Sequence, residues 1–452
     1  MIDRTGSVLP RRLGVVLALI PVLAVGLADA VIAVRTANPH HPATTASRSH
    51  LAVRARPADQ ADARRITALH DLLARRAAAV LHHDRAAFLA TVDPAQPRFV
   101  AEQKREYAAI AVVPLASWSY DLNAAIGQPP VPRLARYGAP TWAPLHFTLD
   151  YAIRGFDVSP TSLRQFPTFV QRPQGWFVAS FSDFTASHQR SDVDIWNFGA
   201  VRTATAPGVL VLGHPTSLGL MREVAQQAAD AIPRVSAVWG RDWPRRVVVL
   251  LPSSQHELAQ IIDDSGDLSQ IAAVASAEVQ DCPGPPNPVG YRVAINPRNW
   301  GKLSPLGRRV VLTHEMTHVA TRAVTGSCTP TWLVEGFADY VGYLGTGVPM
   351  TVVAQELATD VRAGRVPKHL PLDSDFDGDN KQLAQAYEGA WMAAHMVVDR
   401  WGQRMLVRLY REVGSSKDDP DKAMSAAIRK LLHMSYGRFV SDWRAYLRAN
   451  LS

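Results

Sequence analysis

The run VVLTHEMTHVAT, residues 310–321, places His314, Glu315 and His318 inside an otherwise uncharged, largely apolar stretch. Ionisable groups carried into a core need partners, because a buried charge left alone is expensive. Ser304-Pro305 ahead of the run is a helix-start signal, a cap residue followed by proline in the first turn. On that helix His314 and His318, four apart, share one face with their bases about 6 Å apart. Two imidazole nitrogens can then reach one metal at about 2 Å each, the geometry of zinc. Glu315 is turned by one position, placed to touch water beside the metal and not the metal. Zinc needs a third protein ligand, and WLVEGFADYVGYL supplies Glu335, 17 residues after His318. Asp339 lies four further on, on the face of Glu335. There it can accept the outer N–H of a ligand histidine and fix its tautomer.

H-E-M-T-H followed by W-L-V-E-G-F-A-D-Y resembles the glutamate-zincin metallopeptidases, the broad thermolysin-like group, and its second helix resembles the aminopeptidase-like branch. The resemblance implies Zn2+ as cofactor, with His314, His318 and Glu335 as ligands. It also implies Glu315 as general base, Asp339 behind a ligand histidine, and a peptide or protein as substrate. It covers about residues 206–452, with some 30 of them specific. The chain departs from the aminopeptidase branch in lacking a G-x-M-E-N signature and in a shorter gap between the motifs. In this family the strand YRVAINP, Tyr291–Pro297, would form the edge of a cleft, where an extended peptide adds as a further strand. The helix AQAYEGAWMAAHMVVDRWG would pack behind the site, offering Tyr387 first and His395 second as donors to an oxyanion. Two rival functions stay open: a cell-envelope binding protein with a structural zinc domain, and a zinc hydrolase of a non-peptide amide.

The 452 residues are enough for two or three domains. Hydrophobic content of 47% supports real cores, and the net charge is +8. No Lys/Arg cluster is interleaved with aromatics, so nucleic acid is not expected as a partner. Arg4, Arg11 and Arg12 precede an uncharged apolar run from Leu13 to Ala28, which resumes after Asp29 to Val34. Basic residues before an apolar core make an export signal. Residues 1–35 are read as a single-pass membrane anchor with the body outside the cytoplasm, since the 22 residues to Val34 could span a bilayer. The alternative is cleavage near Ala28–Ala30 and secretion. With no cysteine nearby, a lipoprotein is excluded. Cys282 and Cys328 are the only cysteines. In an oxidising compartment they form a disulfide candidate, stabilising by about 4 kcal/mol.

The expected fold class is α+β. Residues 36–59, rich in Ala, Pro, Thr, Ser and His, read as a tether. Residues 60–190 run from helices to strand-like pieces, with RPQG separating the last two as a hairpin. That order resembles the nuclear-transport-factor-2-like fold, on architecture alone. His82, His83 and Asp84 read as a solvated helix end. From residue 206, strands and helices lead into the metal motif and a C-terminal helical lobe. LDSDFDGDN, Leu372–Asn380, resembles the start of a calcium loop, but its twelfth position is Ala384 where a bidentate glutamate is expected, so a solvated acidic loop is the better reading. The sequence does not set the oligomeric state.

Overall fold

The computed structural model describes residues 15–18, 57–127, 132–187, 189–263, 268, 271–278, 289–326, 329–377 and 380–452. Backbone contacts divide the chain into two compact units, residues 37–202 on one side and residues 1–36 with 203–452 on the other. The fold is mixed α+β with a helical C-terminal lobe. A short strand, β1 (Val15–Ala18), precedes the first unit in the chain and belongs to the second.

The smaller unit opens with α1 (Pro57–Leu81), α2 (Arg85–Leu89) and α3 (Pro97–Ile110). Asp84 caps α2 by accepting from Ala87 N at 2.9 Å, while His82 and His83 are exposed beside it. The strands β2 (Leu115–Gly127), β3 (Thr141–Trp142), β4 (Pro144–Ile153), β5 (Thr161–Arg164), β6 (Thr168–Arg172) and β7 (Gly175–Ser180) follow. They form two three-stranded antiparallel sheets, β2-β4-β5 and β3-β6-β7. Leu69, Leu72, Phe147, Phe169 and Val178 fill the core between helix and strands. Arg76 is buried there, and its guanidinium is compensated by Thr91, Gln103 and Tyr120 together with the face of Phe88.

In the larger unit β8 (Arg202–Ala206), β9 (Val209–Gly213), α4 (Leu218–Trp239), β10 (Val247–Leu251), α5 (Gln255–Ile261), β11 (Ala273–Glu278) and β12 (Val289–Ile295) build a sheet of order β1-β11-β12-β10-β9-β8. β9, β10 and β12 run parallel, and β9 and β10 are buried along their whole length, as strands covered on both faces are. β11 is antiparallel to β12, and β1 is antiparallel to β11. Tyr291–Pro297 is therefore not the edge strand expected from sequence. β12 is paired on both sides, so its backbone groups are already used, and β11 stands between it and the rim.

The helices are α6 (Pro297–Trp300), α7 (Pro305–Thr321), α8 (Thr331–Tyr343), α9 (Met350–Val353), α10 (Gln355–Arg362), α11 (Leu383–Trp401), α12 (Gln403–Gly414), α13 (Pro420–Leu432) and α14 (Tyr436–Leu451). α7 packs against α4, α8 and β11, and α8 packs against α11. A Cβ on Gly336 would lie 2.3 Å from the Ala390 carbonyl oxygen, so only glycine lets α8 and α11 meet backbone to backbone. A Cβ on Gly342 would lie 3.2 Å from Val310, which tightens the contact of α8 with α7.

No helix among the described residues is long and apolar enough to cross a membrane, so the expectation of a single-pass membrane protein is corrected. Residues 15–18, inside the supposed anchor, pair as a strand with β11. The rest of that run, the tether before Pro57 and both cysteines with their proposed disulfide lie outside the described residues. In the acidic loop, Asp373 accepts from Thr331 N and Asp375 from Leu372 N, both at 2.9 Å, and Phe376 is fully buried. Those carboxylates are thus engaged by backbone amides, while Gly378 and Asp379 lie outside the described residues.

Glu388 on α11 is 2% exposed and caps α10, accepting from Leu357 N at 2.6 Å and Glu356 N at 3.3 Å. Burial, with a hydrogen bond to Glu356 and repulsion from it, pushes its pKa up to about 10. The folded chain keeps a proton that the unfolded chain releases above its ordinary value of 4.5. The stability this gives is full below that value and lost as pH rises toward 10, by up to about 1.4 kcal/mol per pH unit. Glu388→Gln should flatten the fall in melting temperature between about pH 5 and 9. Parallel curves for variant and parent would show that Glu388 is not the titrating group.

Candidate metal centre

α7 begins where Ser304 Oγ accepts from Gly307 N at 3.1 Å, with Pro305 in the first turn. Every residue from Val310 to Thr321 is buried, the mark of a helix enclosed on all sides. Its threonines survive burial by bonding back to the helix, Thr313 Oγ1 to Arg309 O and Thr317 Oγ1 to Thr313 O, each at 2.7 Å. α8 is buried from Trp332 to Tyr343 and brings Glu335 and Asp339 against the same face.

The structure brings His314, His318 and Glu335 together, with one ligand atom from each all within 4.8 Å of one another. The two Nε2 atoms are 2.8 Å apart, and Glu335 Oε2 lies 3.2 Å from that of His314 and 3.5 Å from that of His318. Asp339 Oδ1 is 2.7 Å from His314 Nδ1. A proton on Nδ1 donated to Asp339 leaves the Nε2 lone pair of His314 aimed at the group's centre. Both oxygens of Glu335 are buried and lack a properly aligned hydrogen bond. Three ligand atoms converging on one point fit a tetrahedral cation that would replace the proton on His314 Nε2, and the two-nitrogen, one-oxygen set fits zinc.

Burial alone lowers the His314 pKa, but Asp339 and Glu335 outweigh it and raise it to about 10. Burial lowers that of His318, opposed by Glu335. Burial would raise Glu335, yet the two histidines hold it below its ordinary value. Asp339 is raised to about 6 by burial, against the pull of His314. Glu315 is fully buried, neither of its oxygens has a well-aligned hydrogen bond, and burial pushes it up to about 8 against the pull of His314 and of the Ala275 backbone.

Tyr387 sits buried on α11 with its ring edge-on to Phe376 at 5.0 Å. His395, two turns on, packs between Tyr340 and Trp391, its Nδ1 3.6 Å from Asp399. Two other tyrosines near the metal group were not legible in sequence. Tyr410 on α12 bonds Thr325 Oγ1 at 2.7 Å and Thr321 Oγ1 at 3.2 Å; burial raises it to about 12, with Glu335 adding to the rise. Tyr291 on β12 has a buried hydroxyl with no partner. Neither carries a local motif, because folding alone brings distant segments to α7.

No protein-family model and no curated protein matches the chain. Among solved structures it is similar to yeast LTA4 hydrolase in complex with bestatin, at 13% identity and a TM-score of 0.34, over 55% of this chain and 39% of that one. It is also similar to a two-domain M1 zinc metallopeptidase, a mutant bound to L-arginine. There the identity is 13% and the TM-score 0.31, over 70% of this chain and 61% of that one. The chain spans less than two thirds of either. The assignments above therefore stand on the geometry of this chain.

Purified without chelator, the full chain should carry about one zinc, and His318→Ala and Glu335→Ala should carry none. Asp339→Asn should weaken zinc binding by about 10- to 100-fold, because the histidine loses its orienting partner. Metal content by mass spectrometry and a chelator competition read both effects. Equal zinc in all four proteins would place the metal elsewhere.

Proposed function

We propose that this chain is a zinc-dependent hydrolase of peptide bonds. The observation that carries the reading is the convergence of His314, His318 and Glu335, with Asp339 orienting His314. Glu315 follows His314 on the same helix, buried and without a well-aligned hydrogen bond. Zinc held by the three residues would polarise a carbonyl and make water acidic enough to ionise near neutrality.

The residues of the chain then divide the work. Glu315 takes the proton of the attacking water and hands it to the departing amine, a task that suits a carboxyl raised by burial toward neutral pH. Asp339 keeps His314 in the tautomer that leaves its inner nitrogen free. Tyr387 is assigned as donor to the oxygen that gains charge, on the strength of its position at the start of the helix that packs on α8. The substrate is a peptide or protein. We place the working enzyme outside the cytoplasm as a secreted protein, on the basic residues Arg4, Arg11 and Arg12 ahead of an apolar run.

Glu315→Gln is the discriminating variant. Glutamine matches glutamate in size but cannot take a proton, so zinc content should stay near that of the parent. Hydrolysis of a mixed peptide library, followed by mass spectrometry, should fall by about 100- to 10,000-fold. An unchanged cleavage pattern would remove Glu315 from the chemistry. No cleavage by zinc-loaded parent protein would overturn the peptidase reading.

A further inference from the structure

The face of α7 that carries the metal group continues for one more turn. His314, His318 and Arg322 are spaced by four and so stack along one stripe. Arg322 is 9% exposed, and its guanidinium makes no ion pair or hydrogen bond among the described residues. A cation so nearly buried is ordinarily paired. Elsewhere in the larger unit the same residue type finds a carboxylate, as Arg308 does with Glu223 at 2.7 Å and Arg400 with Asp442 at 2.8 Å.

No carboxylate among the described residues pairs with Arg322, but the neighbouring strand offers a second unused donor. The Tyr291 hydroxyl is buried without a partner, on a strand that packs against α7. Arg322 and Tyr291 are close enough for the guanidinium charge to act on the phenol, whose pKa is nevertheless driven upward by burial, so it stays a neutral O–H donor. Tyr410 lies within electrostatic reach of both, with its own hydroxyl tied to Thr321 and Thr325. Arg322 also acts on His318, which places the free cation beside the metal group.

We propose that Arg322 and the Tyr291 hydroxyl form a carboxylate-binding subsite that selects substrates carrying a negative group next to the bond to be cleaved. A planar guanidinium with a phenolic O–H matches the two oxygens of a carboxylate, and charge-assisted hydrogen bonds of this kind are the strong ones. The carboxylate has two chemical sources, the free end of a peptide chain or an aspartate or glutamate side chain. The inference rests on the peptidase reading above.

The test uses the full chain in the Glu315→Gln background, so that binding is read without turnover. Calorimetry compares three peptides of one length: an alanine peptide with a free C-terminal carboxylate, its C-terminal amide, and an amide with one internal aspartate. A carboxylate peptide should bind about 10- to 100-fold more tightly than the plain amide. Arg322→Gln should abolish that preference, and Arg322→Lys should retain part of it, which separates loss of charge from misfolding. Preference for the free terminus identifies a chain-end specificity, and preference for the aspartate peptide identifies an acidic side-chain specificity. Equal binding of all three, no binding at millimolar concentration, or a preference that survives Arg322→Gln overturns the subsite. Zinc is counted on the same samples, so a chain without metal, which sinks the peptidase reading, is told apart from one with metal and no carboxylate preference.

Discussion

Four ionisable side chains, His314, Glu315, His318 and Glu335, are all but removed from water within two adjoining helices. The organisation of the larger unit follows from making that tolerable. Each carboxylate or imidazole taken into a low-dielectric interior must find an opposite charge, a hydrogen bond or a metal. Asp339 meets the outer nitrogen of His314 and the two histidines partly offset Glu335, but among the described residues no well-aligned hydrogen bond reaches the oxygens of Glu335 or Glu315. An arrangement this costly without a cation is most stable with one, so metal binding and folding of this region should be linked.

Holding the donors within 4.8 Å requires α7 and α8 to stay fixed relative to each other. Close helix contact achieves this. Gly342 lets α8 approach Val310, and Gly336, next to Glu335, lets α8 rest on the backbone of α11 at Ala390. The parallel strands supply the floor from which α7 is presented, and β11 lies beneath its metal-bearing part. A site set on packed helices is held more tightly than one set on loops, as chemistry requiring sub-ångström placement demands.

How much of this the sequence revealed depends on the range of the interactions. The His314 and His318 stripe with Glu315 one position off it, and the Glu335 to Asp339 step, are helical periodicities visible in a few residues, and the structure brings His314, His318, Glu335 and Asp339 together. The α+β class was legible from the order of elements. The position of Tyr291–Pro297 was not: whether a strand is an edge depends on what pairs beyond it, and β11 and β10 take both its sides. The membrane-spanning expectation rested on hydropathy alone, which cannot tell an apolar segment bound for lipid from one that pairs with a sheet, as residues 15–18 do with β11. Tyr410 escaped notice because only tertiary packing carries α12 to the threonines at the end of α7.

Arg322 shows the difference between a legible position and a legible role. Its spacing from His318 was in the sequence from the start, on the same stripe as the two histidines. Spacing could not say whether the guanidinium reached solvent, a neighbouring carboxylate or nothing at all. At 9% exposure, and with no ion pair or hydrogen bond among the described residues, it is a largely enclosed cation with unused hydrogen-bonding capacity beside the metal group. At an ordinary surface that would mean little, since exposed charges are screened by water and salt. For a side chain as enclosed as Arg322 the same charge would discriminate between substrates, because one that brings a carboxylate would satisfy it and one that brings an amide would leave it unpaired. Selectivity in such a site would come from the penalty on the wrong substrate as much as from attraction to the right one.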